Sequence, residues 1–205
     1  MPTVRIVGAD ADGSESAAFF LGTGEPVVIP TDTVYGLAVD PTLPGASQLM
    51  FEAKRRGRDL PVAVLVSDGR QGWSLAVEPA PAALDLAARW WPGPLTLVVP
   101  RAPGWPADLG DVATTVGLRC PDHAWVRALC ARVGPLAVTS ANLHGDPTPG
   151  TARAAGELFD GWTHLVVDGG TLPGKASTVV DCTVDPPQVL RQGAITALQI
   201  QEALR

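Results

Sequence analysis

"PVVIPTDTVYGLAVD", residues 26–40, places two apolar runs on either side of a short polar segment. The first run ends at Pro30, and Thr31, Asp32 and Thr33 then supply three short polar side chains in succession. Short apolar runs bounded by Pro, Gly or Asp are typical of β-strands. In α/β sheets, ligands usually bind at strand ends and in the loops that follow them. The stretch therefore predicts two strands joined at a candidate binding edge, although a polar turn that only satisfies backbone groups has the same composition.

Similar strand-like runs recur along the chain, and helical patterns separate several of them. The further strand-like runs are "PVAVLV" (61–66), "LTLVVP" (95–100), "TVGLRC" (115–120), "PLAVTS" (135–140), "HLVVD" (164–168), "STVVDCT" (177–183) and "QVLR" (188–191). Helical patterns cover 45–56, 81–91, 122–133, 150–159 and 196–205, and the last opens with Thr196 and Gln199 in capping-box spacing. Strands that alternate with helices predict an α/β fold, a mixed sheet flanked by helices. Run 61–66 should be a central strand, and we expect one domain over residues 1–205.

The chain is acidic, with 15 Lys and Arg against 21 Asp and Glu and a formal net charge of -6. Proteins that coat nucleic acid rely on broad basic surfaces, so this composition argues against that class. No run approaches the roughly 20 apolar residues needed to span a bilayer, and segment 1–16 lacks the apolar core of an export signal. We therefore expect a cytoplasmic protein. Cys120, Cys130 and Cys182 have no metal-ligand spacing and should be buried free thiols.

Against this acidic background, "AKRRGR" (53–58) holds four of the 15 Lys and Arg side chains. The run ends a predicted helix near the protein surface, where cations suit the negative end of the helix dipole. A second interpretation is that the cluster binds the phosphates of a ligand, since Arg and Lys form charge-assisted hydrogen bonds with phosphate oxygens. An acidic protein that binds an anion needs such a local concentration of positive charge.

Two more strand-like runs carry an arginine, and a third ends in polar residues. Arg119 interrupts an apolar strand, where a charge is costly unless it is paired with a protein or ligand carboxylate. Arg191 lies near a strand end, and Arg favours bidentate contacts with carboxylate or phosphate. "PLAVTSAN" (135–142) ends in the polar residues Thr139, Ser140 and Asn142, which could hydrogen-bond to a ligand. Together these side chains suit a small ligand that carries a carboxylate and several phosphates.

"GGTLPGKAST" (169–178) resembles the phosphate-binding loop GxxxxGK[ST] without matching it. Ala176 stands where the magnesium-binding hydroxyl should be, and a strand-like run follows where the motif needs a helix. We therefore predict that this segment is not such a loop, although Ser177, near its end, opens a strand after the Gly-rich turn.

The ordered set "PTDTVYGL", Lys54-x-Arg56, "PGPLTLVV", "VGLRCP", "TSAN", "STVVD" and "VLRQG" resembles the YrdC-like threonylcarbamoyl-AMP synthases from about residue 25 to about residue 195. This resemblance implies a twisted open α/β sheet around a positively charged cavity. It also implies the synthesis of threonylcarbamoyl-AMP and pyrophosphate from L-threonine, bicarbonate and ATP. A partner transferase complex would then move the threonylcarbamoyl group to the adenosine next to the anticodon of certain tRNAs.

The resemblance also implies roles for particular residues. Lys54 and Arg56 would form a catalytic pair facing the ATP phosphates. Further ATP contacts would come from Thr115, Ser140, Asn142, Thr148 and Arg191, and L-threonine contacts from Thr33, Arg119 and Ser177. Arg119 would take the amino acid's carboxylate, and Mg²⁺ would arrive with ATP without protein ligands. The chain departs from the family where many members have Asn and His, since it has Leu60 and Leu65 there.

Two alternative functions remain open at this point. The fold could serve as an RNA-binding module in which the run 53–58 grips phosphates, although one short basic run supports only weak, salt-sensitive binding. It could also form a carbamoyl-adenylate, as related domains do within larger hydrogenase-maturation enzymes.

Overall fold

A computed structural model describes residues 4–60, 62–112, 114–143 and 145–205. The strands in these ranges are β1 Arg5–Gly8, β2 Val27–Ile29, β3 Gly36–Val39, β4 Ala63–Leu65, β5 Leu95–Pro100, β6 Thr115–Arg119, β7 Leu136–Ser140, β8 Leu165–Asp168, β9 Thr178–Asp181 and β10 Gln188–Arg191. The helices there are α1 Ala11–Gly22, α2 Ala46–Ala53, α3 Gly69–Trp73, α4 Pro81–Trp90, α5 Ala124–Val133, α6 Ala152–Leu158 and α7 Ala197–Ala203.

The described strands form one open sheet in the order β1-β8-β2-β3-β7-β4-β6-β5-β9-β10. The β1/β8, β2/β8, β4/β6 and β5/β9 pairs are parallel and the others are antiparallel. The mixed α/β sheet expected from the sequence is therefore confirmed. The central position of β4 in the sheet is also confirmed. This strand comes from the run 61–66, of which Pro61 lies outside the described residues. One domain over residues 1–205 stays a prediction.

Three elements were not predicted from the sequence. Helix α1 contains Gly, Ser and acidic residues in its first half, so its apolar pattern is weak. The helix begins after Asp10, whose side chain accepts a hydrogen bond from Gly13 N at 2.9 Å. Helix α3 is only five residues long. Strand β1 is a short edge strand whose residues are mostly exposed, so its sequence shows little alternation of apolar and polar residues.

The two faces of the sheet pack against different helices. Because side chains alternate along a strand, Val64 of β4 joins the core beneath α2, α4, α6 and α7, whereas Leu65 joins the core beneath α1 and α5. We call these the first and second faces. The three cysteines are free and buried in these cores, as expected.

Helices cover only part of the second face. Helices α1 and α5 pack there against apolar side chains of β2, β3, β4, β7 and β8. Farther along the sheet, over β6, β5 and β9, the side chains that point to this face line a cavity instead. No helix in the described residues is long and apolar enough to cross a membrane.

Candidate functional site

The cavity on the second face is lined by alternate residues of neighbouring strands. These are Gly36, Ala63, Leu65, Thr96, Val98, Thr115, Gly117, Arg119, Val138, Ser140 and Val179. The rest of the described wall comes from further positions of β6, β7 and β10, namely Val116, Thr139, Leu190 and Arg191, and from segments between the strands: Thr31, Thr33, Val34, Arg56, Val62, Leu109, Val112, Ala176 and Ser177. The polar members of this described wall are hydroxyl groups and guanidinium groups. The cavity therefore offers hydrogen bonds and positive charge to a ligand.

Three arginines bring their positive charges to this one cavity. Burial lowers the pKa of Arg56, Arg119 and Arg191 below the usual value. The nearby charge of Arg191 lowers the pKa of Arg56 and of Arg119 further. Like charges that repel one another in a partly desolvated site favour the binding of an anion between them.

Arg119 is the most buried of the three, with 5% of its surface exposed. It donates from Nη2 to Asp32 Oδ1 at 2.6 Å, from Nη1 to Thr33 Oγ1 at 3.0 Å and from Nε to the carbonyl of Gly93 at 3.2 Å. Its charge is therefore paired with a protein carboxylate, one of the two partners expected from the sequence. Each terminal nitrogen keeps an N–H for a ligand.

The polar segment after β2 both closes its own turn and faces the cavity. Thr31 Oγ1 accepts hydrogen bonds from the backbone N–H groups of Thr33 and Val34, each at 3.1 Å, and donates to the Val34 carbonyl at 2.7 Å. These contacts hold the Thr33 hydroxyl against Arg119. The two interpretations of this segment, a satisfied turn and a binding edge, are therefore compatible.

Ser177 links the guanidinium group of Arg191 to Thr96 of strand β5. Arg191 donates from Nε and Nη2 to the Ser177 carbonyl at 3.2 and 3.0 Å, and from Nη2 to Ser177 Oγ at 3.1 Å. Ser177 Oγ also lies 2.9 Å from Thr96 Oγ1. Strand β9 follows directly, which confirms that 169–178 is not a GxxxxGK[ST] phosphate loop. Instead, Gly174 N donates to the Thr33 carbonyl at 3.0 Å and ties this segment to the cavity edge.

Lys54 is not at the surface, contrary to the expectation of a helix end near solvent. Only 2% of it is exposed, and Nζ donates to the Ser140 carbonyl at 2.6 Å, to Asn142 Oδ1 at 2.9 Å and to the Asn142 carbonyl. Burial, with a smaller contribution from the charge of Arg56, lowers the pKa of Lys54 to about 8. Helix α2 ends at Ala53, so the chain turns Lys54 inward beneath the segment 140–142.

The other cations of the basic run have separate environments. Arg56 lies at the cavity and donates to Thr139 Oγ1 at 3.2 Å. Arg58 pairs with Asp108 at 2.6 Å and with Asp111 at 3.5 Å. Only Arg55 points to solvent as a typical surface cation, on a backbone with φ of 50°. The run is therefore not a continuous basic patch, which argues against the RNA-binding alternative.

A family model for Sua5, YciO and YrdC proteins, described as "Telomere recombination", matches residues 20–193. The chain belongs to the Sua5/YciO/YrdC family. A Mycobacterium tuberculosis relative is 40% identical over 193 residues, which cover 94% of this chain and 89% of the relative. The threonylcarbamoyl-AMP synthase of Bacillus subtilis is 39% identical over 191 residues, 92% of this chain and 55% of that protein.

A solved family structure has the same architecture. Pyrococcus abyssi Sua5 complexed with L-threonine superposes with a TM-score of 0.90 at 34% identity, covering 98% of this chain and 61% of that chain. This chain therefore spans less than two thirds of the archaeal and Bacillus family members, and most of the mycobacterial one.

The structure brings most of the residues singled out by the family resemblance to one place. Thr33, Arg56, Thr115, Arg119, Ser140, Ser177 and Arg191 line the cavity. Among the described residues, Lys54 and Asn142 lie behind the cavity wall and are hydrogen-bonded to each other. The Asn142 amide is also occupied by Ser140 Oγ and by the Asp146 carbonyl, each at 2.6 Å. Thr148 is half-buried outside the cavity wall.

The two departures from the family pattern differ in position. Leu65 is 2% exposed and lines the cavity, whereas Leu60 is 36% exposed and is not part of its described wall. Thr139 also lines the cavity, at the polar end of the run 135–140, whereas Thr96 lines it but was not predicted as a site residue. The signal for Thr96 was present, because it is a polar residue within the apolar run 95–100, as Arg119 is within its own run.

Proposed function

We propose that this chain is an L-threonylcarbamoyladenylate synthase, a nucleotidyltransferase that forms threonylcarbamoyl-AMP and pyrophosphate from L-threonine, bicarbonate and ATP. The observation that carries the proposal is the convergence of Arg56, Arg119 and Arg191 on one hydroxyl-lined cavity of an acidic protein. Relatives that bear the synthase name, and a family member whose structure contains L-threonine, support the same activity.

The cavity divides into a buried end and a more open end. At the buried end, Thr33, Arg119 and Ser177 are each at most 5% exposed, which suits a small amino acid whose carboxylate takes the remaining N–H groups of Arg119. At the open end, Arg56 and Arg191 offer the charge that a triphosphate requires. In the proposed complex, the amino acid would therefore lie next to the phosphates.

The chemistry needs chiefly alignment and charge stabilisation. The amine of threonine adds to bicarbonate, or to carbon dioxide formed from it, and gives a carbamate. A carbamate oxygen attacks the α-phosphorus of ATP, and pyrophosphate leaves. The chain's part is to orient the two substrates and to stabilise negative charge on the phosphate oxygens through Arg56 and Arg191. Lys54 would act from behind the wall, through its electric field and through the segment 140–142.

We propose that magnesium enters this site as a companion of ATP. No group of three or more His, Cys, Asp or Glu side chains in the described ranges could hold a metal ion. The carboxylate of Asp32 is engaged by Arg119, with Oδ1 2.6 Å from Nη2. We therefore propose that Mg²⁺ is held by the phosphate oxygens, where it neutralises part of their charge.

The pathway context follows from the product. Threonylcarbamoyl-AMP is a mixed anhydride that must pass its acyl group to an acceptor, and we propose that a transferase complex uses it to modify the tRNA adenosine next to the anticodon. We propose that the protein acts in the cytoplasm, together with these tRNA-modifying partners.

The test is pyrophosphate release from ATP by the pure protein, with each substrate omitted in turn and the product identified by mass spectrometry. Release should require both threonine and bicarbonate. Release that instead requires carbamoyl phosphate would replace this proposal with carbamoyl-adenylate formation. Tight tRNA binding at physiological salt, with no response to ATP, would favour the RNA-binding module. In Arg119→Ala, the KM for threonine should rise more than the KM for ATP.

A further inference from the structure

Strand β10 contains an irregularity that changes which side chains reach the cavity. Its pairing with β9 matches Val189 to Val180 and Arg191 to Val179, so Leu190 has no register partner. In a regular strand, consecutive side chains point to opposite faces. A bulge removes that alternation, and bulges near active sites commonly redirect a side chain. Here both Leu190 and Arg191 line the cavity.

Leu190 is an unusual member of this wall because it is 58% exposed. The side chain stands at the open end of the cavity, on the edge strand of the sheet and next to the guanidinium group of Arg191. Further aliphatic surface in the wall comes from Val98, Leu109, Val112 and Val179. The described wall contains no aromatic side chain, so an apolar part of a ligand would have to pack on aliphatic groups.

We infer that Leu190 contacts the base of the bound nucleotide, an inference that rests on the proposed function. The triphosphate is drawn to Arg56 and Arg191, and the buried end of the cavity is suited to the amino acid. The remaining parts of ATP are the ribose and the base, and of these the base has the apolar faces that gain from leaving water. Leu190, adjacent in sequence to a phosphate-binding arginine and still largely exposed, provides the matching surface.

This contact predicts a specific division of binding energy between the two neighbours on β10. Arg191 acts on the phosphates, and Leu190 acts on the base. Truncating Leu190 should therefore weaken ATP binding but leave the binding of inorganic tripolyphosphate unchanged, since tripolyphosphate has no base.

The experiment is calorimetric titration of the full chain and two variants with ATP and, separately, with tripolyphosphate. Leu190→Ala should raise the Kd for ATP about fivefold, an effect expected from losing part of one leucine contact. The matched control is Leu198→Ala on α7, because Leu198 is 59% exposed and lies outside the described cavity wall. The control should bind ATP like the wild type, and Leu190→Met should restore most of the affinity.

The outcomes separate this inference from the proposed function. Unchanged ATP binding in Leu190→Ala, or equal weakening of ATP and tripolyphosphate, would overturn the role of Leu190 and leave the synthase proposal standing. A wild-type protein that binds no ATP would overturn the proposed function, and this inference with it.

Discussion

The second face of the sheet has two halves with the same strand geometry but different coverings. The covered half lies beneath α1 and α5, and the open half, over β6, β5 and β9, lines the cavity. Beneath α1 and α5, the side chains that point outward from the sheet are apolar, for example Leu136, Leu165 and Val167. Over β6 and β5, the corresponding positions hold Arg119, Gly117 and Thr96. The sheet supplies alternation in both halves, and the presence of a covering helix decides whether a position serves packing or ligand binding. The two halves should therefore respond differently to mutation.

The largest expected effect lies in the covered half. Leu136 is fully buried, so Leu136→Ala should lower the free energy of unfolding by about 2–5 kcal/mol through lost burial and a cavity. Denaturant titration measures this change. The folded fraction should keep its KM values for ATP and threonine. A large change in either KM without loss of stability would erase the distinction between the halves.

Lys54 lies behind the open half and should show a pH-dependent effect on stability. Its pKa is about 8 in the folded chain against an ordinary value of 10.5, so between these values the unfolded chain binds the proton more tightly. The stability of the wild type relative to Lys54→Met should therefore increase with pH across this window, by up to about 3 kcal/mol. Denaturant titrations at several pH values test this. A difference that is flat between pH 8 and 10.5 would contradict the burial of a charged ammonium.

In the open half, Arg56→Ala should reduce activity and leave stability nearly unchanged. Losing one charge-assisted phosphate contact costs about 1.5–3 kcal/mol, which is roughly tenfold to a hundredfold in kcat/KM for ATP. Removing a charge that repels Arg191 should not destabilise the fold. The matched control is the exposed neighbour, Arg55→Ala, which should behave like the wild type in pyrophosphate release. Equal losses in both variants would indicate a general effect of charge.

The smallest expected effect concerns the hydroxyl of Thr96, which lies in the open half at a kind of position that is apolar in the covered half. Thr96→Val keeps the shape of the side chain but removes the hydrogen bond to Ser177 Oγ. We expect a loss of about 1 kcal/mol in threonine binding, seen as a several-fold higher KM for threonine. Steady-state kinetics with threonine as the varied substrate measures it. An unchanged KM would mean that Thr96 acts only in packing.

Much of the fold followed from the sequence because burial leaves a readable pattern. Strands β2 to β10 all lie within the strand-like runs, which were predicted from short apolar stretches bounded by turn residues. The Thr196–Gln199 capping box is also present, as expected. Strand β1 and helices α1 and α3 were missed because their residues carry little periodic burial. Nothing in a local pattern showed that α1 would pack on α5.

The site was predictable in its residues and less so in their surroundings. Arg119 and Arg191 stood out because a charge in an apolar strand requires a partner. The burial of Lys54 could not be predicted, because it depends on carbonyl groups 86 and 88 residues away in sequence. The bulge at Leu190 was also hidden, since it arises from the pairing of two strands and not from the composition of either.

The anchoring of Arg119 by Asp32, Thr33 and Gly93 has a consequence for how tightly a carboxylate binds. A free arginine loses considerable rotamer entropy when it closes on a ligand. Here folding has already imposed that loss, so an incoming carboxylate meets a donor of fixed orientation and keeps more of its interaction energy as affinity.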